Sequence, residues 1–185
     1  MRPLVLLDVD GVLNALGPPD ASWPDWQQGR ATAAGREWPI RWSPSVVDAV
    51  RNWQERADVR WLTTWGHDAN RGLHALLGLP ELPVAGTHHD AAGSPDPEEP
   101  ALAAVTPAAP DELTGRWWKF DVVRRLVREQ PGRRLVWLDD DLLGVDDVRA
   151  WTRAHADGLL VAPDPRAGLV RAHLDAVERF LRAPD

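Results

Sequence analysis

The chain has 185 residues, of which 44% are hydrophobic and 26% charged, with no cysteine and a formal net charge of −7. The absence of cysteine excludes disulfides, thiolate zinc sites and cysteine nucleophiles, and the acidic balance argues against a surface that binds extended nucleic acid. The length and composition are typical of a globular protein, and we expect a single domain over residues 1–185.

Membrane association is not expected from the hydropathy pattern. No apolar stretch approaches the roughly 20 residues that a transmembrane helix needs. The apolar run at residues 3–7 ends at Asp8 and is too short for a signal peptide. We therefore expect a soluble, cytoplasmic protein with no membrane partner. The sequence carries no signature of an oligomeric state or of a partner protein.

Short apolar runs alternate with segments of helical periodicity. Continuous apolar runs, typical of strands covered on both faces, lie at residues 4–7, 59–62, 82–85, 135–138 and 159–162. Helical spacing of apolar residues is found around residues 46–57, 69–77, 120–127, 142–151 and 170–181. This alternation predicts an α/β, three-layer Rossmann-like fold with a mainly parallel, five-stranded sheet. Ligands of such sheets bind at the carboxyl ends of the strands.

Two segments interrupt the alternation. Residues 14–42 contain Trp23, Trp26, Trp38 and Trp42, and predict a small flap that acts as a minimal cap. These tryptophans either pack the flap against the body of the protein or, where exposed, stack on a base. Residues 86–116 include a Pro/Ala-rich stretch that is typical of an extended or mobile loop.

Two carboxylates follow the first predicted strand, in the sequence Asp8-Val9-Asp10-Gly11-Val12. Because residues two apart on a strand point the same way, Asp8 and Asp10 are expected on one side. Like charges held together favour a bound cation. Since Asp and Gly are also common turn residues, a plain polar turn is the structural alternative.

A hydroxyl and a lysine follow at later positions. Thr63, or Thr64 in the other register, comes after the second strand, where it either helps to bind a phosphate or caps a helix. Lys119 begins the third predicted helix between Trp118 and Phe120. A surface lysine whose stem packs on these rings is the alternative to a functional one.

Three consecutive carboxylates, those of Asp139, Asp140 and Asp141, follow the fourth predicted strand. Such a cluster predicts a site for a hard cation. One of the three can instead cap the next helix, but capping does not account for all of them. Each of the three is a candidate ligand.

The ordered set DVDGV, LTTW, Lys119 and WLDDD resembles the four-motif signature of haloacid dehalogenase-like (HAD) hydrolases. The stretches LLDVDGVLN, LTTWGHDAN, VWLDDD and APDPRAGL are similar to the HAD domain of Swiss Army Knife RNA repair proteins. The resemblance covers most of the chain. It implies a Mg²⁺-dependent phosphohydrolase whose phosphorylated substrate is a nucleotide, a nucleic-acid end or a small molecule.

The resemblance also implies roles for individual residues. Asp8 is expected as the nucleophile, Asp10 as the general acid and base, and Mg²⁺ as the cofactor. Thr63 is expected to bind a phosphate oxygen, and Lys119 to neutralise charge. The implied metal ligands are Asp8, the backbone carbonyl of Asp10, and Asp139 or Asp140. The alternatives are a small-molecule phosphatase, such as a nucleotidase, and a catalytically inactive HAD-like binding module.

Overall fold

A computed structural model describes residues 1–88 and 117–183 of the protein. The described strands are β1 (Leu4–Leu7), β2 (Gln27–Ala33), β3 (Arg36–Trp42), β4 (Asp58–Trp61), β5 (Leu135–Leu138) and β6 (Gly158–Val161). The described α-helices are α1 (Pro44–Arg56), α2 (Asp68–Leu77), α3 (Trp118–Glu129), α4 (Asp146–His155) and α5 (Arg171–Arg182). A short 3-10 helix covers Asp140–Gly144. The Pro/Ala-rich loop expected at 86–116 lies, from residue 89 onward, outside the described residues.

The four apolar strands form one parallel sheet in the order β4-β1-β5-β6. Their register is flush, because Leu7 pairs with both Trp61 and Leu138, and Leu138 pairs with Val161. The residues that follow these strands therefore meet along one edge of the sheet. This edge is where a parallel α/β sheet binds its ligands.

Within residues 1–88 and 117–183 the parallel sheet has four strands, where the sequence predicted five. The apolar run at residues 82–85 makes only a single parallel bridge, between Val84 and Trp61. Two hydrogen bonds hold it beside β4, from Trp61 N to Pro83 O (2.9 Å) and from Ala85 N to Trp61 O (2.8 Å). Proline has no N–H to donate, so a run that includes Pro83 cannot extend the ladder as the other runs do.

Alternating residues of β1, β5 and β6 pack in two separate hydrophobic cores, whereas β4 contributes Val59 and Trp61 to the larger core alone. Val5 and Leu7 pack with α1, α2 and α5, whereas Leu4 and Leu6 pack with α3 and α4 on the opposite face. Since neighbouring strand residues point to opposite faces, a continuous apolar run supplies both cores. Helices therefore cover both faces of the sheet, which gives the three layers expected from the sequence.

Helix α1 begins where its sequence signal predicts. Ser43 caps α1 by accepting a hydrogen bond from Ser45 N (3.1 Å), with Pro44 as the first helical residue. The segment at 142–151 differs from the expected single helix: the chain passes through the 3-10 helix and breaks at Val145 before α4 begins. Among the described helices, none is long and apolar enough to cross a membrane.

The segment at residues 14–42 contains a β-hairpin, in which β2 and β3 pair antiparallel through a two-residue turn at Ala34 and Gly35. Both turn residues have positive φ, as a type I′ turn requires. The hairpin packs closely on α2, because a Cβ added to Gly72 would lie 2.6 Å from the carbonyl oxygen of Thr32. We refer to the hairpin Gln27–Trp42 as the flap.

The four tryptophans of residues 14–42 differ in their surroundings. Trp23 and Trp42 are buried in the larger core, and Trp26 packs against it. Trp38 is 44% exposed, and its indole N–H donates to the carbonyl of Ala33 (3.2 Å). Packing against the body therefore accounts for Trp23, Trp26 and Trp42, while Trp38 remains available to solvent.

Candidate active site

Asp8 lies directly after β1, at the carboxyl edge of the sheet. Its backbone N–H donates to Leu138 O (3.1 Å), which continues the parallel pairing for one more residue. One carboxylate oxygen accepts from Val9 N (2.7 Å) and the other from Lys119 Nζ (2.6 Å). Both oxygens of a buried carboxylate are thereby satisfied, as burial requires.

Lys119 bridges two carboxylates in the interior of the protein. Its side chain is only 3% exposed, and its Nζ lies 2.6 Å from Asp8 and 2.9 Å from Asp139. The residue is second in α3, where the positive end of the helix dipole disfavours a cation. Lys119 therefore does not stabilise the N-terminus of the helix. Its ammonium is held in place by the two carboxylates.

Asp139 and Asp140 complete an acidic group around this contact. Oxygen atoms of Asp8, Asp139 and Asp140 all lie within 4.8 Å of one another, an arrangement that can hold a metal ion. Asp139 is fully buried and also accepts from Asp141 N (3.1 Å), whereas the Asp141 carboxylate is not part of the group. The Asp140 side chain fits against Gly11, where an added Cβ would meet it at 2.3 Å.

The Asp10 carboxylate accepts hydrogen bonds from two neutral donors. Asn14 Nδ2 donates to one oxygen (2.8 Å) and Trp65 Nε1 to the other (2.8 Å). The turn that carries Asp10 is closed by hydrogen bonds from Asn14 N to Val9 O (2.8 Å) and from Gly11 N to Asn14 O (2.9 Å). Gly11 has φ of +71°, a conformation that glycine adopts without strain.

The two threonines after β4 differ in burial. Thr63 is buried and accepts a hydrogen bond from Trp65 N (3.3 Å), whereas Thr64 is exposed. Leu62 N donates to Leu7 O (3.0 Å), which places Thr63 just beyond the paired ends of β1 and β4. This position favours Thr63 over Thr64 as the hydroxyl that faces the carboxyl edge.

The site carries more negative than positive charge. Burial opposes the charge on Lys119, but Asp8 and Asp139 outweigh this and raise the pKa of its ammonium. Burial, followed by repulsion from Asp8 and Asp141, raises the pKa of Asp140 to about 7. Burial likewise raises the pKa of Asp139, against the attraction of Lys119. One ammonium does not neutralise three carboxylates, so the site favours an additional cation.

The structure thus brings Asp8, Lys119, Asp139 and Asp140 together at the carboxyl edge of the sheet. Sequence reasoning assigned no role to Asn14 or Trp65, which hold Asp10. Their signals are weak in the sequence, because Asn14 is simply four residues after Asp10 and Trp65 is one tryptophan of 11.

Comparison with protein families agrees with this geometry. The profile described as the HAD domain in Swiss Army Knife RNA repair proteins matches residues 4–174, which include every residue of the site. The chain belongs to this family. No curated protein and no solved structure gives a significant match. Membership of the HAD family indicates a hydrolase with a phosphorylated substrate.

The first prediction concerns the buried ammonium of this HAD domain. Lys119→Met keeps most of the side-chain volume but leaves Asp8 and Asp139 without their cation. Breaking a buried ion pair on one side typically costs about 3–5 kcal/mol. We expect the free energy of unfolding in urea to fall by this amount. Arg182→Met, which removes an exposed pair with Glu178, is the control and should change it by less than about 1 kcal/mol. Equal losses in the two variants would contradict the role of the buried pair.

The second prediction follows from the raised pKa of Asp140. A raised folded-state pKa means that the folded protein binds the proton more readily than the unfolded chain, so this carboxyl destabilises the fold progressively as the pH rises through about 7. In the presence of a chelator, Asp140→Asn should therefore raise the Tm at pH 8 and much less at pH 5. Because the carboxyl is partly solvated, we expect about 1 kcal/mol, or roughly 2–4 °C.

The control for this measurement is Asp175→Asn on the exposed face of α5. It should alter the Tm by the same small amount at both pH values. If Asp140→Asn behaved in the same way, or lowered the Tm at pH 8, the excess negative charge inferred for the site would be wrong.

Proposed function

We propose that this HAD domain is a Mg²⁺-dependent phosphomonoesterase that works through an aspartyl-phosphate and acts on nucleotide or RNA ends. The observation that carries the proposal is the contact of Lys119 Nζ with both Asp8 and Asp139. This contact ties the residue expected as nucleophile to the cation and to the acidic group, at the ligand-binding edge of the sheet.

The acidic group fits a magnesium ion. Mg²⁺ prefers hard oxygen ligands and usually binds to one or two carboxylates together with water and substrate phosphate. Asp8, Asp139 and Asp140 supply oxygen atoms close enough to share one ion, and the backbone carbonyl of Asp10 is the further ligand that the family resemblance implies. When bound, the ion would neutralise charge on the carboxylates and on the phosphate.

In the first step, an Asp8 carboxylate oxygen attacks phosphorus and the bond from phosphorus to the leaving oxygen breaks. Asp10 gives its proton to that oxygen, so the product leaves as an alcohol. Lys119 holds the Asp8 side chain in place and offsets negative charge, and the Thr63 hydroxyl binds a phosphate oxygen. An aspartyl-phosphate on Asp8 results.

In the second step, Asp10, now ionised, takes a proton from water as that water attacks phosphorus. The bond between phosphorus and the Asp8 oxygen breaks, which releases inorganic phosphate and restores the carboxylate. The proton that Asp10 gave to the leaving alcohol is thereby replaced, and the site returns to its starting state.

The lysine is needed because the nucleophile and the substrate carry charge of the same sign. At ~4 Å and an effective dielectric constant of ~20, two unit negative charges repel by ~4 kcal/mol. A fixed ammonium in a dry site offsets such repulsion without reorganisation during the reaction. Lys119, buried and held from two sides, meets this requirement.

Two observations support a nucleotide or RNA end as the substrate. The family is described by its occurrence in RNA repair proteins, and the small flap carries a solvent-accessible indole at Trp38, which can stack on a base. The net charge of −7 favours local binding of a chain end over binding along an extended backbone. A small-molecule phosphatase and an inactive binding module are the competing functions.

The third prediction tests the nucleophile. Wild-type protein with Mg²⁺ should hydrolyse para-nitrophenyl phosphate, and Asp8→Asn should lower kcat by at least roughly a thousand-fold, because it removes the attacking oxygen. Asp175→Asn should retain wild-type activity. Mass spectrometry of acid-quenched wild type should detect phosphate on Asp8. Activity that survives in Asp8→Asn would overturn the mechanism, and phosphate binding by an inactive wild type would favour the binding module.

The fourth prediction tests the substrate class. We expect kcat/KM for an end-phosphorylated oligoribonucleotide to exceed that for the matching mononucleotide by at least about ten-fold, since extra stacking is typically worth ~1–3 kcal/mol per base. Trp38→Ala should reduce this preference while leaving the rate with para-nitrophenyl phosphate unchanged. A preference for the mononucleotide would instead support a nucleotidase.

A further inference from the structure

Both oxygens of the Asp10 carboxylate are held by neutral side-chain donors, Asn14 Nδ2 and Trp65 Nε1, each at 2.8 Å. We propose that Asn14 and Trp65 are positioning residues that orient the Asp10 carboxyl group toward the leaving-group oxygen. Through Asn14, this orientation depends on the position of the flap. The inference rests on the proposed function, because it assigns a task to the residue proposed as general acid and base.

Asn14 is fixed by the flap through its remaining polar groups. Its side-chain oxygen accepts from Arg41 N (2.9 Å), and its Nδ2 also lies 3.4 Å from Pro39 O. Ala15 N donates to Arg41 O (2.9 Å), so residues 14 and 15 cover the edge of β3 that β2 leaves unpaired. A buried amide with all its polar atoms engaged has one available orientation. The position of β3 therefore sets the position of the Asp10 carboxylate.

Trp65 connects Asp10 to the neighbouring strand. It is buried, and its backbone N–H donates to the Thr63 hydroxyl (3.3 Å) while its indole N–H donates to Asp10. The short segment after β4 thus holds the hydroxyl proposed to bind phosphate and one donor to the proposed acid. A rigid indole in a packed core has few alternative rotamers, which suits it to fixing the distance between these two groups.

Neutral hydrogen-bond donors suit a carboxyl group that must both give and take a proton. A carboxylate has about four lone-pair positions, and two hydrogen bonds leave others for the proton that is transferred. Amide and indole N–H groups carry no net charge, so they orient the carboxyl group both with and without its proton. A lysine or arginine in their place would hold the anion more strongly and oppose its protonation. Asn14 and Trp65 thus orient Asp10 and still allow it to give a proton to the leaving group in the first step and to take one from water in the second.

A purely structural role predicts a different outcome, since lost hydrogen bonds would then weaken the fold or the site as a whole. A misdirected general acid instead slows reactions in proportion to the help that the leaving group needs. β-Glycerophosphate releases an alkoxide-like oxygen that requires protonation. Para-nitrophenyl phosphate releases a stable phenolate that does not. Comparing these two substrates separates the two roles.

The experiment measures kcat/KM for both esters with Mg²⁺ in wild type, Asn14→Ala and Trp65→Phe. We expect each variant to lose roughly 10–100-fold with β-glycerophosphate, a part of the total acid–base contribution, and less than about 3-fold with para-nitrophenyl phosphate. Trp65→Phe removes the indole N–H but keeps an aromatic ring and much of its packing, so it tests the proposal even if Asn14→Ala folds poorly.

Trp61→Phe is the matched control. Like that of Trp65, its indole N–H makes a part-buried hydrogen bond of 2.8 Å, but to Asn70 and not to Asp10. Losing this bond should change the rates with both esters by the same factor. The double variant Asp10→Asn/Asn14→Ala gives a second test: if Asn14 acts through Asp10, adding Asn14→Ala to Asp10→Asn should change kcat/KM for β-glycerophosphate by less than about 3-fold.

The outcomes distinguish this inference from the proposed function. Equal losses on the two esters in Asn14→Ala and Trp65→Phe, or additive losses in the double variant, overturn the positioning role while Asp8→Asn still abolishes hydrolysis. If the wild type hydrolyses neither ester, or if Asp8→Asn leaves both rates intact, the proposed function fails and the positioning role fails with it.

Discussion

The ammonium of Lys119, between the carboxylates of Asp8 and Asp139, is the interaction on which the site depends. It joins the ends of β1 and β5 to the start of α3, three segments far apart in the sequence. A buried lysine without partners would lose its proton or unfold its surroundings, and two buried carboxylates without a cation repel each other. Each group therefore makes the burial of the others possible. The same arrangement leaves negative charge in excess, which favours the binding of a further cation.

The fold makes this balance possible through the flush register of its parallel strands. Because Leu7, Trp61 and Leu138 end at the same level, Asp8, Thr63 and Asp139 follow at one edge without long loops. The two hydrophobic cores hold the strands from both sides, so the edge is rigid where the charged groups meet. Preorganised charge is effective because it requires no rearrangement during the reaction.

Sequence patterns predicted the parts of the structure that depend on local chemistry. Continuous apolar runs gave the four parallel strands, and Asp8, Lys119 and the Asp139 cluster followed from strand ends and motif order. They predicted a full strand at residues 82–85, where Pro83 limits the pairing to a single bridge. They did not identify the strands of the flap. They also did not reveal the donors to Asp10. Which side chain reaches Asp10 depends on how the flap packs on α2, and that is a tertiary property without a local period.

Lys119 is the sole lysine in the chain, whereas the other 20 basic residues are arginine. A guanidinium is planar and larger, and its donors fan out in a fixed fork, so it does not fit between two carboxylates approached at 2.6 and 2.9 Å by a single nitrogen. A compact ammonium does. The one lysine of the chain thus lies where the geometry of the site requires a single-nitrogen donor, and arginine supplies the guanidinium groups elsewhere.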